Sequence, residues 1–194
     1  MGSTRDIVRR ASIAGLVVGV AGIVAVVAIG LWFWIGQPYG TINDLALIVM
    51  TAAIPFLMLA FWELGGLTPT PLALLAQVTG WLACATWCIT HVLWLAGVVT
   101  IDYETSATGA YAVEAIAVIV VGLWIAGANL LSGPWLTGVR WFGVLTGLGI
   151  VLAGIGMFVA GSVETLVVGG VAYLVMLPVW GLLMWRFLGR LEVA

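Results

Sequence analysis

The only histidine of the chain, His91, shares one stretch with both cysteines, Cys84 and Cys88. Gly80 to Trp94 also holds three tryptophans and two threonines, all inside a long apolar run. An α-helix turns about 100° per residue, so Gln77, Gly80, Trp81, Cys84, Cys88 and His91 fall on one stripe that should face other helices. Thiolate and imidazole ligate zinc and haem iron, and that is the chemistry such a stripe first suggests. The spacing opposes it. Cys84 and His91 stand about 10.5 Å apart along a helix rising 1.5 Å per residue, whereas zinc ligands lie about 2.0–2.3 Å from the metal. The three cannot hold one ion without unwinding, and a single histidine excludes a bis-histidine haem within one chain. The expectation is therefore no metal site. Buried cysteines act as small hydrophobes, and a membrane histidine hydrogen-bonds to a neighbouring helix. No particular cofactor is indicated.

Glu114 is the acid best placed for intramembrane chemistry. Facing the other helices it would be costly to ionise. Paired with His91, toward the same outer side, it would suit a proton-coupled carrier. Its place only a few residues into a span favours the simpler expectation, a carboxylate at headgroup level. Gln77 and Asn129, near the inner side, suit hydrogen bonds between helices. Of eleven tryptophans, Trp81, Trp87, Trp124 and Trp180 sit deep enough to line a site for a flat apolar ligand. Packing is the plainer reading, since aromatic side chains at helical spacing fill cores. The chain has no glycine-rich phosphate loop, no HExxH and no GxSxG.

The elements that carry these residues follow from composition. The chain has 194 residues, 64% hydrophobic and 7% charged, with mean hydropathy +1.26. A soluble surface needs far more charge. A net charge of -2, with six Arg and no Lys, excludes a nucleic-acid-binding surface. The expected fold is all-α, a polytopic bundle of six transmembrane helices forming one domain over residues 1–194. The spans are placed at about 13–35, 45–62, 72–99, 111–131, 140–160 and 164–188. The first run is too long for a signal-peptide core and is read as an uncleaved span. Thr41 and Asp44 have capping-box spacing, so Asn43 and Asp44 are read as a helix cap rather than guards of an entrance. Thr70 before Pro71 marks the third helix start. Ser132, Gly133 and Pro134 break the fourth helix, and Ser162 is placed to cap the sixth. Pro55 and Pro178 should bend their helices. Gly15, Gly19 and Gly22 share a face, as do Gly143, Gly147 and Gly154, and both faces suit close helix contact, within one chain or between chains.

With six spans, every arginine lies on one side: Arg5, Arg9, Arg10, Arg140, Arg186 and Arg190. The opposite side holds Asp44, Asp102, Glu104 and Glu164 and no cation. The positive-inside rule then puts both termini in the cytoplasm. A short echo, Ala25-Val26 with Gly30-Leu31-Trp32 against Ala117-Val118 with Gly122-Leu123-Trp124, would make the two halves inverted repeats.

Two further runs are Pro38-Tyr39-Gly40-Thr41-Ile42-Asn43-Asp44 and Pro178-Val179-Trp180-Gly181-Leu182-Leu183-Met184-Trp185-Arg186-Phe187-Leu188-Gly189-Arg190. Through them the chain resembles uncharacterised small multi-pass membrane proteins of bacteria and archaea. The resemblance implies six helices in a prokaryotic cytoplasmic membrane, and no catalytic residues or substrate. Three functions are compatible with these features. The first is a non-enzymatic accessory or structural subunit packing against lipid, an apolar pigment, a membrane-protein partner or another copy of itself. The second is a small-solute transporter or channel using His91 and Glu114. The third is a haem or quinone redox protein.

Overall fold

The computed structural model describes residues 4–65, 70–99, 108–133, 136–158 and 170–193. The elements are α1 (Thr4–Ile35), α2 (Tyr39–Leu64), α3 (Pro71–Leu95), α4 (Gly109–Leu131) and α5 (Arg140–Gly156). A π-helical segment, Ala172–Met176, then runs directly into α6 (Leu177–Val193). Among the described residues there is no strand. Five helices are long and apolar enough to cross a bilayer: Thr4–Ile35, Tyr39–Leu64, Pro71–Leu95, Gly109–Leu131 and Tyr173–Leu191. α5 is apolar but has 17 described residues, a little short of the roughly 20 that a hydrocarbon core requires.

Each helix packs on its neighbours in the chain, and α6 closes back on α1, so the six form a ring. One hydrophobic cluster runs through all of them, with Trp87, Trp180, Met50, Ile54, Leu57, Met58 and Met184 fully buried. The tightest seams are glycine seams. A Cβ on Gly15 would lie 2.8 Å from the Gly181 carbonyl, and one on Gly181 would lie 2.9 Å from the Gly15 carbonyl. Gly19 and Gly22 abut Leu182 and Pro178 of the same helix. Between α4 and α5, Gly122 and Gly147 are reciprocal: each added Cβ would meet the other's carbonyl, at 2.7 and 2.6 Å. Gly154 sits against the Ala115 carbonyl at 2.9 Å, and Gly143 against the Asn129 side chain. Both glycine faces therefore pack within the chain, where backbones approach closely enough for dispersion to hold apolar helices together.

Several boundaries differ from expectation. α1 starts at Thr4 rather than near Ile13, continuing through the arginine turn, where Asp6 and Arg9 stand 3.9 Å apart on an exposed face. α2 starts at Tyr39, so the expected capping box at Thr41 and Asp44 does not form. Gln37 occupies that role: its Oε1 accepts from the Thr41 amide at 3.4 Å and from the Thr41 hydroxyl at 3.3 Å. Asn43 and Asp44 are instead carried inside α2 and buried. α3 ends at Leu95 rather than Val99. Gly97 takes φ +69°, its amide bonds to the Trp94 carbonyl and the Val98 amide to the Leu93 carbonyl, both at 2.9 Å. That is a Schellman stop, which needs a left-handed residue. Thr70 caps α3 as expected, accepting from the Ala73 amide at 3.1 Å. The α2 helix continues through Pro55. The Pro178 ring would press on the carbonyl four residues back, and the wider π-helical turn lies there. Pro134, Trp135, Asp102, Glu104, Ser162 and Glu164 lie outside the described residues.

Candidate functional site

Three ionisable side chains meet at one end of the ring, each from a different helix. Asp44 is five residues beyond the start of α2, Glu114 five beyond the start of α4, and His91 four before the end of α3. At about 1.5 Å per residue all three stand 6–8 Å in from the helix ends. Glu114 Oε1 lies 3.3 Å from His91 Nε2, and Asp44 Oδ1 lies 3.9 Å from His91 Nδ1. The imidazole is thus held between two carboxylates. The side chains keep 5% (His91), 9% (Glu114) and 11% (Asp44) of their exposure. Glu114 is therefore buried among helices.

The helical pattern explains the convergence. Asp44 shares a face of α2 with Leu47 and Thr51, both buried. His91 follows Cys84 and Trp87 on the buried face of α3, and Glu114 precedes Ala117, Val118 and Val121 on that of α4. Asn43 Nδ2 donates to Asp44 Oδ1 at 3.2 Å. Trp87 and Thr90 flank the Glu114 carboxylate. The His91 ring stacks near Trp94, with centroids 6.1 Å apart.

The cluster is rich in unsatisfied polar atoms. Glu114 Oε2 and Asn43 Oδ1 are buried without a hydrogen-bond partner, and neither His91 nitrogen makes a well-directed hydrogen bond to the carboxylate beside it. Such atoms cost roughly 1–3 kcal/mol each when left orphaned, so a cluster of them points to a guest, water or solute. Space for one is present. A cavity of about 200 Å³ is lined by Trp87, His91, Tyr111, Glu114 and Tyr173 with Leu47, Val118, Ala153, Met157 and Gly170. The Trp87 and Tyr173 rings stand 5.1 Å apart, tilted by 33°.

The remaining stripe residues divide. Gln77 is buried at the other end of α3, with Nε2 unpartnered, beside a separate cavity of about 180 Å³ lined in part by Phe61, Trp124 and Ser132. Phe61 stacks on Trp180 at 6.2 Å and meets Trp124 edge-on at 5.7 Å, and Phe61 and Trp124 wall this second cavity. Cys84 is buried, and Cys88 Sγ donates weakly to the Ile48 carbonyl at 3.6 Å. Trp81 departs from expectation. It is 38% exposed, because at the edge of the stripe its bulk turns outward while the smaller Gly80 takes the inward place against Trp124 and Met58. Asn129 is fully buried; its Nδ2 donates to the Ile125 carbonyl at 2.8 Å and its Oδ1 accepts from Trp180 Nε1 at 3.4 Å. It ties α4 to α6. Among the described residues no group of three His, Cys, Asp or Glu side chains is disposed to hold a metal ion.

Asp44, Tyr111 and Tyr173 are the site residues that sequence reasoning did not bring together with His91. The signal for Asp44 was available: extending the α2 face backward by three from Leu47 lands on it.

Fold and site together define a class: an all-helical protein with bilayer-length apolar helices and a buried acid–imidazole–acid cluster opening on an aromatic cavity. No family model, curated protein or solved structure matches the chain.

Proposed function

We propose that the chain is a six-span protein of a prokaryotic cytoplasmic membrane, with both termini in the cytoplasm, that binds a small polar solute from the outer side as a proton-coupled carrier. The reading rests on one observation, the meeting of Asp44, His91 and Glu114 from three helices, with His91 and Glu114 lining a cavity and Glu114 Oε2 unpartnered. Intramembrane ionisable residues are expensive and mark solute or proton paths. Two carboxylates beside one imidazole offer proton acceptors within a few ångströms of the guest. Phe61, Trp124 and Trp180 pack together toward the inner end, and a packed inner end would suit the outward-facing state of alternating access. The orientation is supported by the arginines, which all lie at the end away from the cluster.

The test is access. Val118 lines the cavity, so Val118→Cys in a Cys84→Ala, Cys88→Ala background should react with a membrane-impermeant cationic thiol reagent added outside intact cells. It should not react from the cytoplasmic face of inverted vesicles. A thiol inert from both sides would overturn the reading.

A second reading, a non-enzymatic accessory protein, rests on a different surface. A groove of about 580 Å³ between α1 and α2 is lined only by Leu16, Val17, Val20, Ala21, Val24, Ile42, Leu45, Ala46 and Val49. Its wholly apolar lining suits a lipid acyl chain. Native mass spectrometry of gently extracted protein would carry a retained lipid under this reading.

A further inference from the structure

We propose that the solute is a small organic ammonium ion, held by the Glu114 carboxylate and by the rings of Trp87, Tyr111 and Tyr173. This rests on the solute-binding reading above and names the chemistry of its ligand.

Charge argues first. Asp44 and Glu114 share a single imidazole, and the arginines all lie at the far end of the bundle. Two buried carboxylates against one histidine are costly to ionise without a further positive charge, and a guest cation would supply it. The walls argue next. Three aromatic side chains line the cavity, and aromatic faces attract cations through the ring quadrupole, most effectively where water is excluded. Such walls suit an alkylated ammonium better than a metal ion, which would require several oxygen ligands. The unpartnered Glu114 Oε2, on a side chain 9% exposed, gives a guest a polar partner. Size sets the limit. At about 200 Å³ the cavity is smaller than the roughly 300–1,000 Å³ of pockets for drug-sized ligands, so the guest has only a few heavy atoms beyond its ammonium. Asp44 does not line the cavity and stands 3.9 Å from His91 Nδ1.

The probe is radiolabelled choline, set against 3,3-dimethyl-1-butanol, its neutral isostere with carbon in place of the ammonium nitrogen. The intact protein is placed in phosphatidylglycerol nanodiscs, whose headgroups carry no ammonium. Saturable choline binding is expected, with at least a roughly tenfold preference over the alcohol as competitor. Glu114→Gln should weaken it by a similar factor, and Tyr173→Leu should weaken it while Tyr173→Phe restores it. Glu63→Gln, a carboxylate at the opposite end, should leave it unchanged. Melting temperature and elution volume identify any variant that has failed to fold. Equal competition by the alcohol, or affinity unmoved in folded Glu114→Gln and Tyr173→Leu proteins, would overturn the ammonium assignment. So would the absence of choline binding. Reactive Val118→Cys in those preparations would then leave the carrier reading standing, whereas an inert thiol would remove both. Suppression of choline binding in phosphatidylcholine nanodiscs would identify the natural ammonium as a lipid headgroup, and undiminished binding would identify a free solute.

Discussion

At the scale of single residues, the chain spends its few polar side chains on two tasks. Asp44, His91 and Glu114 gather at one end, where Glu114 Oε2 has no hydrogen-bond partner. Asn129, by contrast, has its side chain fully engaged, to Ile125 in its own helix and to Trp180 in another. Replacing it separates the two roles. Asn129→Leu leaves Trp180 Nε1 buried without an acceptor, so unfolding in bicelles should become easier by about 1–2 kcal/mol. Choline binding, some distance away, should not change. A free energy of unfolding within a few tenths of wild type would show that the bond contributes nothing. Sequence reasoning found His91, Glu114, Gln77 and Asn129 because polar residues are conspicuous in apolar runs. It misassigned Asp44 because Thr41 and Asp44 have the spacing of a cap. Whether such a pair begins a helix or lies inside it depends on what precedes it, here the Gln37 side chain, which already accepts from the Thr41 amide.

At the scale of elements, glycine decides which helices touch. The faces of Gly15, Gly19 and Gly22 and of Gly143, Gly147 and Gly154 were legible from helical spacing. Their partners, Gly181 and Gly122, were not, because a one-dimensional pattern does not say which helix lies opposite. In both seams the contact is glycine against glycine backbone, so added bulk has nowhere to go. Gly147→Leu should force α4 and α5 apart, lowering the melting temperature and broadening the elution profile, at a cost of roughly 1–3 kcal/mol or more. Gly127→Leu, where an added Cβ meets nothing within 4 Å, is the matched control on α4 and should be tolerated. Equal melting temperatures for the two variants would sink the claim. The ends of elements were harder to read than their middles. The stop at Gly97 depends on a left-handed turn, and glycine is too frequent in this chain, at 26 residues, for any single one to announce it.

At the scale of the whole molecule, the helical, apolar character was plain from composition alone, and the closed ring was not. Its closure sets the site at one end and the packed rings of Phe61, Trp124 and Trp180 toward the other. That asymmetry has an electrical consequence. Glu114 stands about 8 Å in from the start of α4 by helical rise, roughly a quarter of a hydrocarbon core near 30 Å thick. A cation reaching it from outside therefore crosses about a quarter of the membrane potential, worth about 0.6 kcal/mol for each 100 mV. With the interior negative, choline affinity measured in polarised proteoliposomes should rise about threefold per 100 mV. An affinity indifferent to voltage would place the guest outside the field, at the water's edge. On the proposed reading, the resting potential alone would draw the ligand inward, before any helix had moved.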